Sequence, residues 1–318
     1  MSGSSLLRAG AVFGTGLLLG GAALSDDVSA IVSGTAHQAL FSIAVYGDTG
    51  IAVGAAGAIL ESADAGKTWK EAASVPTQAS LLGVSAQQGH AIVVGQEGVV
   101  LVMDADGKWV KGNSGTSNRL FAVGVNADGV AAAVGAFGTV LYSRDGGFGW
   151  SSIAPDWSGY AKDGEQPHLY DVVVDRAGVI TMVGEFGLIL RSGDGGKSWQ
   201  TLHKGDASLF ALQLQDDGVG YAVGQNGTVL RSGDGGASWS ALNSGTSAIL
   251  LGVHSAPTGR VVVTGMHDML RSGDDGKSWT RLGGEEISGS WYQGIAGIGG
   301  GQQLLAVGHS GQIVRIAE

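Results

Sequence analysis

Six tryptophans recur along this chain at a nearly constant interval. Trp69, Trp109, Trp150, Trp199, Trp239 and Trp279 are separated by 40, 41, 49, 40 and 40 residues. A fixed period of about 40 residues marks a repeat architecture, in which each unit buries its apolar face only against its neighbours. Each tryptophan closes a similar phrase, clearest in SADAGKTW (62–69), SGDGGKSW (192–199), SGDGGASW (232–239) and SGDDGKSW (272–279). Two other phrases run ahead of it. An apolar segment opens each repeat: LFSIAV (40–45), LLGVSA (81–86), LFAVGV (120–125), LYDVVV (169–174), LFALQL (209–214), LLGVHS (250–255) and WYQGIAGI (291–298). A glycine-bearing segment follows, from AVGAAGAIL (52–60) to AVGHSGQIV (306–314). There are seven openings and seven middles, but only six tryptophan endings.

Short runs of Val, Ile, Leu and Ala bounded by Gly, Asp and Asn are strand signals. The VGxxG step reads as a tight turn between two strands, and the tryptophan opens a fourth. Four strands per repeat, arranged radially, make a β-propeller blade. The expected fold is therefore all-β, a seven-bladed propeller of four-stranded antiparallel blades in one domain spanning 26–318. The seventh blade lacks an outer strand, because the chain stops at Glu318 after a third one. Residues 26–38 belong to no repeat and are expected to supply that strand, closing the ring and removing an exposed sheet edge. The 58 glycines fall mainly at repeat-locked turns, without a Gly-X-Y period, so they do not indicate collagen or disorder.

Residues 1–25 stand apart. Arg8 precedes a small, apolar run from Ala9 to Leu24, short for a membrane span but suited to a signal-peptide core. The segment reads as a signal peptide, with an uncleaved anchor as the alternative. It places the protein in the periplasm or on the extracytoplasmic side of a membrane. No cysteine is present, which excludes disulfides and a lipoprotein anchor. A net charge of −10 argues against nucleic acid and against an electrostatic grip on anionic lipid.

The phrase S-x-D-x-G-x-[ST]-W is the Asp box, with Asp64/Trp69, Asp145/Trp150, Asp194/Trp199, Asp234/Trp239 and Asp274/Trp279 at its key positions. It reads as a self-satisfying turn: the carboxylate accepts N–H groups of its own loop and the tryptophan folds back. Burying each ring contributes about 2–3 kcal/mol. The copy at 143–150 lacks the hydroxyl before Trp150, and that at 104–109 is one residue short. Asp104 faintly suggests a calcium loop, but no acidic ligand follows at the required spacing. The seven histidines are scattered, so neither a metal nor a cofactor is expected.

From about residue 40 to 318, VGxxGxIL followed by this box resembles the Asp-box (BNR-like) propellers of the photosystem II assembly and stability factor family. The resemblance implies a non-catalytic, exported scaffold that binds a membrane protein or its assembly intermediate. Asp boxes also occur in sialidases, so a carbohydrate-binding or glycosidase propeller is the alternative. No arginine triad or Tyr/Glu pair for such chemistry is legible.

Candidate contact residues fall into three groups. Phe137 and Phe186 occupy variable positions of VGxxG in adjacent blades, as interface rings or as packing on neighbouring turns. The long interval between Trp150 and Trp199 holds an insertion near 154–168, carrying Trp157, Tyr160 and His168 in a flexible, charged loop on the face shared by the VGxxG turns and blade-to-blade links, as a functional insertion or a tolerated surface excursion. Arg191, Arg231, Arg271 and Arg315 share one position in the third strands of blades four to seven. In the resembling family an arginine patch is a proposed partner contact, and the four would form a cationic arc. The alternative is local pairing with an Asp or stacking on an aromatic ring.

Overall fold

The computed structural model describes residues 28–35, 37–160, 164–299 and 303–317. The N-terminal segment 1–25 lies outside them. Seven four-stranded antiparallel sheets form the seven blades of a propeller, as the period predicts. In blade five the strands are Leu209–Leu214, Gly220–Gly224, Val229–Ser232 and Ser240–Leu242, counted outward from the axis. Blade seven takes its outer strand from the N-terminal side: Val28–Val32 pairs antiparallel with Ile313–Ile316, Val28 facing Ile316. Fourth strands start one residue after the tryptophan in most blades, and at the tryptophan itself only in blade two, as Trp109–Lys111.

Second strands such as Ala131–Gly135, Ile180–Gly184 and Val261–Gly265 are buried throughout, which explains their unbroken apolar spelling. Apolar clusters form between blades; one joins Val183, Ile189, Leu209, Leu212, Ala222 and Leu230 of blades four and five. Each second strand ends in a glycine because the chain passes too close for a side chain. At Gly54, Gly135 and Gly224 a Cβ would stand 2.2, 2.1 and 1.9 Å from the carbonyl oxygen preceding the inner strand.

The turn after that glycine is a single 3-10 turn in five of the blades, and its second variable residue is left-handed in all seven. Ala56, Glu97, Phe137, Phe186, Asn226, His267 and Ser310 have φ between 52° and 59°. Asparagine visits this region readily; a bulky ring does so at a cost of about 1–3 kcal/mol.

The inner strands share another irregularity. In every blade the register slips between the first and third residues, leaving the second outside the ladder. Such a bulge re-aims the side chain of the extra residue. The residues so placed are Phe41, Leu82, Phe121, Tyr170, Phe210, Leu251 and Gln293.

Candidate functional site

The ring has two unlike faces. Turns between first and second strands meet the tryptophan turns on one, as the bonds Ala65 N–H to Asp48 C=O and Gly235 N–H to Gly218 C=O show. VGxxG turns meet the blade-to-blade links on the other, where Gly227 N–H donates to Ala248 C=O and Gly187 packs on Gly205. We term these the turn face and the loop face.

Each tryptophan turn satisfies itself. In blade five the Ser232 hydroxyl donates to Asp234 Oδ1 at 2.7 Å and accepts Gly236 N–H at 2.8 Å. Asp234 also accepts Ser238 N–H at 2.9 Å and the Ser238 hydroxyl at 2.6 Å. Asp64, Asp194 and Asp274 repeat the pattern with Thr68, Ser198 and Ser278. The donated bonds, led by the Thr68 and Ser278 hydroxyls, hold Asp64 and Asp274 down to about 2. Asp194 and Asp234 also lie well below the usual carboxylate range, for the same reason. Asp145, opposite Gly149, keeps the backbone bond at 3.0 Å without the hydroxyl and is lowered chiefly by it. Asp104 accepts Asp106 and Lys108 N–H groups in its shortened turn. Among the described residues no three His, Asp or Glu side chains gather to hold a metal.

These turns also fasten blade to blade. Trp69, Trp150, Trp199, Trp239 and Trp279 are half-buried and Trp109 is buried. Trp199 Nε1 reaches back to Ile153 C=O at 3.2 Å, and Trp109 Nε1 to Glu61 Oε1 at 2.8 Å. Glu61 occupies the strand position that carries arginine in blades four to seven. Arg191 there donates to Thr181 Oγ1 at 3.1 Å and to Gly235 C=O of the next blade at 2.5 Å. Arg231 donates to Tyr221 Oη at 3.2 Å and lies 4.0 Å from Asp275, again in the next blade. Arg271 and Arg315 hold the same place, half-buried, and Arg315 faces Ser29 of the closing strand. The four arginines thus share a register, and Arg191 and Arg231 reach the turn face. Arg191 and Arg231 are engaged as ties between blades. Arg191 also edges a cavity of about 1060 Å³ on that face, with Tyr46, Gln87, Trp199 and Gln215.

On the loop face Phe137 is 62% exposed despite its left-handed backbone, while Phe186 is half-buried against the blade-four core. The insertion is not the free loop its sequence suggests. Trp157 is only 6% exposed, and its Nε1 donates to Gly138 C=O at 3.1 Å beneath the Phe137 turn. That burial removes Trp157 from the candidate contacts. Tyr160 packs on Trp157 at 5.7 Å, half-buried, and residues 161–163 lie outside the described set. His168 Nδ1 accepts Phe137 N–H at 3.1 Å, and its ring stands 5.2 Å from Phe137 and 6.0 Å from Phe121.

Sequence reasoning missed the collar at the axial mouth. The bulged residues Phe41, Leu82, Phe121, Tyr170, Phe210 and Leu251 all line the axial channel, half-buried. Tyr170 stands 5.6 Å from Phe121 and 4.8 Å from Phe210, and Trp291 stacks on Phe41 at 6.0 Å. Ile249 and Met266 add exposed apolar surface on the same face. The available signal was the second letter of the opening segments, F, L, F, Y, F and L.

No protein-family model matches the chain, and no curated protein matches it in sequence. Solved structures share its fold. A structure described as YCF48 bound to D1 peptide superimposes with TM-score 0.71 at 17% identity, over 92% of this chain and 97% of that one. YCF48 from Cyanidioschyzon merolae gives 0.71 at 20% identity, over 91% and 98%. The WD40 repeats of RRP9 also give 0.71, at 10% identity, over 92% and 98%. At these identities the likeness establishes the seven-bladed propeller fold alone.

Proposed function

We propose that this chain is a non-catalytic, exported protein-binding scaffold that engages a membrane protein or its assembly intermediate through the loop face. The observation that carries the reading is the seven-fold bulge. It turns six apolar side chains, four of them aromatic, into the axial mouth. Around that mouth stand the exposed Phe137, Ile249 and Met266. Exposed apolar patches with aromatic anchors and a polar rim mark protein interfaces. A neighbour of the same fold bound to a peptide supports a protein ligand, as does the sequence resemblance to photosystem II assembly factors.

Arg191 and Arg231 reach into separate blade seams rather than converging, which favours a scaffold over a sialidase-like site. The closing strand begins at Val28 beside Ile316, at the turn-face end of blade seven, so the chain enters the ring away from the loop face.

The test is affinity capture from detergent-solubilised membranes of the native host. Wild type is compared with Phe137→Asn, Ile249→Ser and Met266→Gln combined. An integral membrane protein held by the wild type and lost from the variant supports the reading. Equal recovery from both contradicts it, as does capture of glycans alone.

A further inference from the structure

The axial channel below the collar has a volume of about 230 Å³ and takes lining residues from all seven inner strands. That is below the range of about 300–1,000 Å³ for pockets holding drug-sized ligands. It admits one extended side chain, not a threaded peptide. Its wall contains no lysine or arginine; the carboxylate is Asp171, with His254 further round the ring.

Asp171 occupies the third position of its inner strand, where the other blades have Ser42, Gly83, Ala122, Ala211, Gly252 and Gly294. It ties blade four to blade five, accepting Val172 N–H on Oδ1 and Leu212 N–H on Oδ2, both at 2.8 Å. Ser42 makes the same tie more weakly, accepting Val84 N–H at 3.2 Å. A hydroxyl therefore suffices for the stitch, and the charge at Asp171 is surplus to it. Each carboxylate oxygen keeps an unused lone pair. The side chain is enclosed by protein but retains part of its surface on the channel.

Above it stand the rings of Phe121, Tyr170 and Phe210, and at the rim Glu185, whose carboxylate accepts His168 N–H at 2.8 Å and faces the Tyr170 hydroxyl at 3.5 Å. Aromatic faces attract cations, more so when water is excluded. We propose that this axial mouth is a socket for a single cationic side chain, a lysine or arginine presented by the partner protein. The collar would hold its aliphatic stem and Asp171 its charged tip. The proposal rests on the loop face being the binding face and adds what that face selects.

Burial raises the Asp171 carboxyl to about 7, which gives the socket a signature. The strands packed against it, 120–125, 209–214 and 180–184, carry no ionisable side chain. Tyr170 is pushed up to about 12 by burial and Glu185, and His254 down to about 4 by burial and Arg260, so neither titrates near neutrality. A cation binds the ionised acid, so affinity falls about tenfold from pH 8 to pH 6.

The probes are the pentapeptide Gly-Gly-Lys-Gly-Gly and its norleucine counterpart, titrated into the full chain to about 20 mM. The backbone amide resonances of Val172 and Leu212 are followed. The expected result is saturable shifts with the lysine peptide, at least tenfold weaker with norleucine, and weaker again at pH 6. Asp171→Ser, which keeps the stitch as Ser42 does, abolishes the discrimination; Phe210→Leu reduces affinity several-fold without altering the pH trend. Equal binding of both peptides overturns the proposal, as does no shift with either at pH 8. If membrane-protein capture still depends on Phe137, Ile249 and Met266, either result sinks the socket and leaves the binding face standing.

Discussion

The two faces of the ring are built from the same repeat by opposite rules. On the turn face nearly every blade spells the same phrase, and its polar groups are spent inside it or on the neighbouring blade, as Asp234 and Arg191 are. On the loop face the backbone is equally regular, with a bulge and a left-handed residue in every blade, yet the side chains there differ. Alanine, glutamate, phenylalanine, asparagine, histidine and serine share one strained position. Invariance of sequence thus marks what closes the ring, whereas invariance of backbone with free side chains marks a surface able to acquire specificity. Two aromatics on blade three sharpen the contrast: Trp157 and Phe137 meet around Gly138, one buried and bonded, the other strained and exposed.

The contrast breaks most easily there. Trp157→Ala should lower stability by about 3–5 kcal/mol in urea unfolding, because a buried ring leaves a cavity. A loss under about 1 kcal/mol would mean that the insertion is a surface excursion after all. The next largest effect is a pH trend. Burial raises the Asp171 carboxyl to about 7, so the fold keeps its proton where the unfolded chain has released it near pH 4. Its stabilising contribution is complete below the unfolded value and is lost as pH rises through the folded one. Asp171→Ser should therefore gain on the wild type by on the order of 3 kcal/mol between pH 4 and 7, then run parallel. Taking the difference cancels His254, whose lowered value acts in the opposite sense.

On the turn face, Ser232→Ala strands Gly236 N–H and removes a bond to Asp234, and should cost about 1–3 kcal/mol. Phe137→Asn should do the reverse. Asn226 already occupies this left-handed position in blade five. Relief of strain is worth about 1 kcal/mol of added stability, with loss of partner capture. A destabilised Phe137→Asn would show that the ring supports the fold, and would erase the distinction between the faces.

The ring itself was legible because the period, the opening segments and the tryptophan phrase all repeat in register. Much of the loop face was not. Read with strict alternation, Phe41, Phe121, Tyr170 and Phe210 are simply the residues on the far side of the strand from a buried leucine. A bulge is a register event, and a one-residue slip redirects side chains without altering the alternation of letters. Trp157 was misplaced because its pocket comes from Gly138, 19 residues away along the chain, and nothing near it in sequence shows that hollow. The arginine register was legible, and local pairing was one of its two readings, but the partners were not legible, since Gly235 and Asp275 belong to the following blades.

The central claim is that recognition belongs to the loop face and architecture to the turn face. Hydrogen exchange of the propeller, alone and saturated with the captured membrane protein, tests it most directly. The account predicts added protection in the turns at 136–139 and 265–268 and at the start of the inner strands, with the tryptophan turns at 192–199 and 232–239 unchanged. Protection confined to those tryptophan turns, with the loop face unaffected, would contradict it.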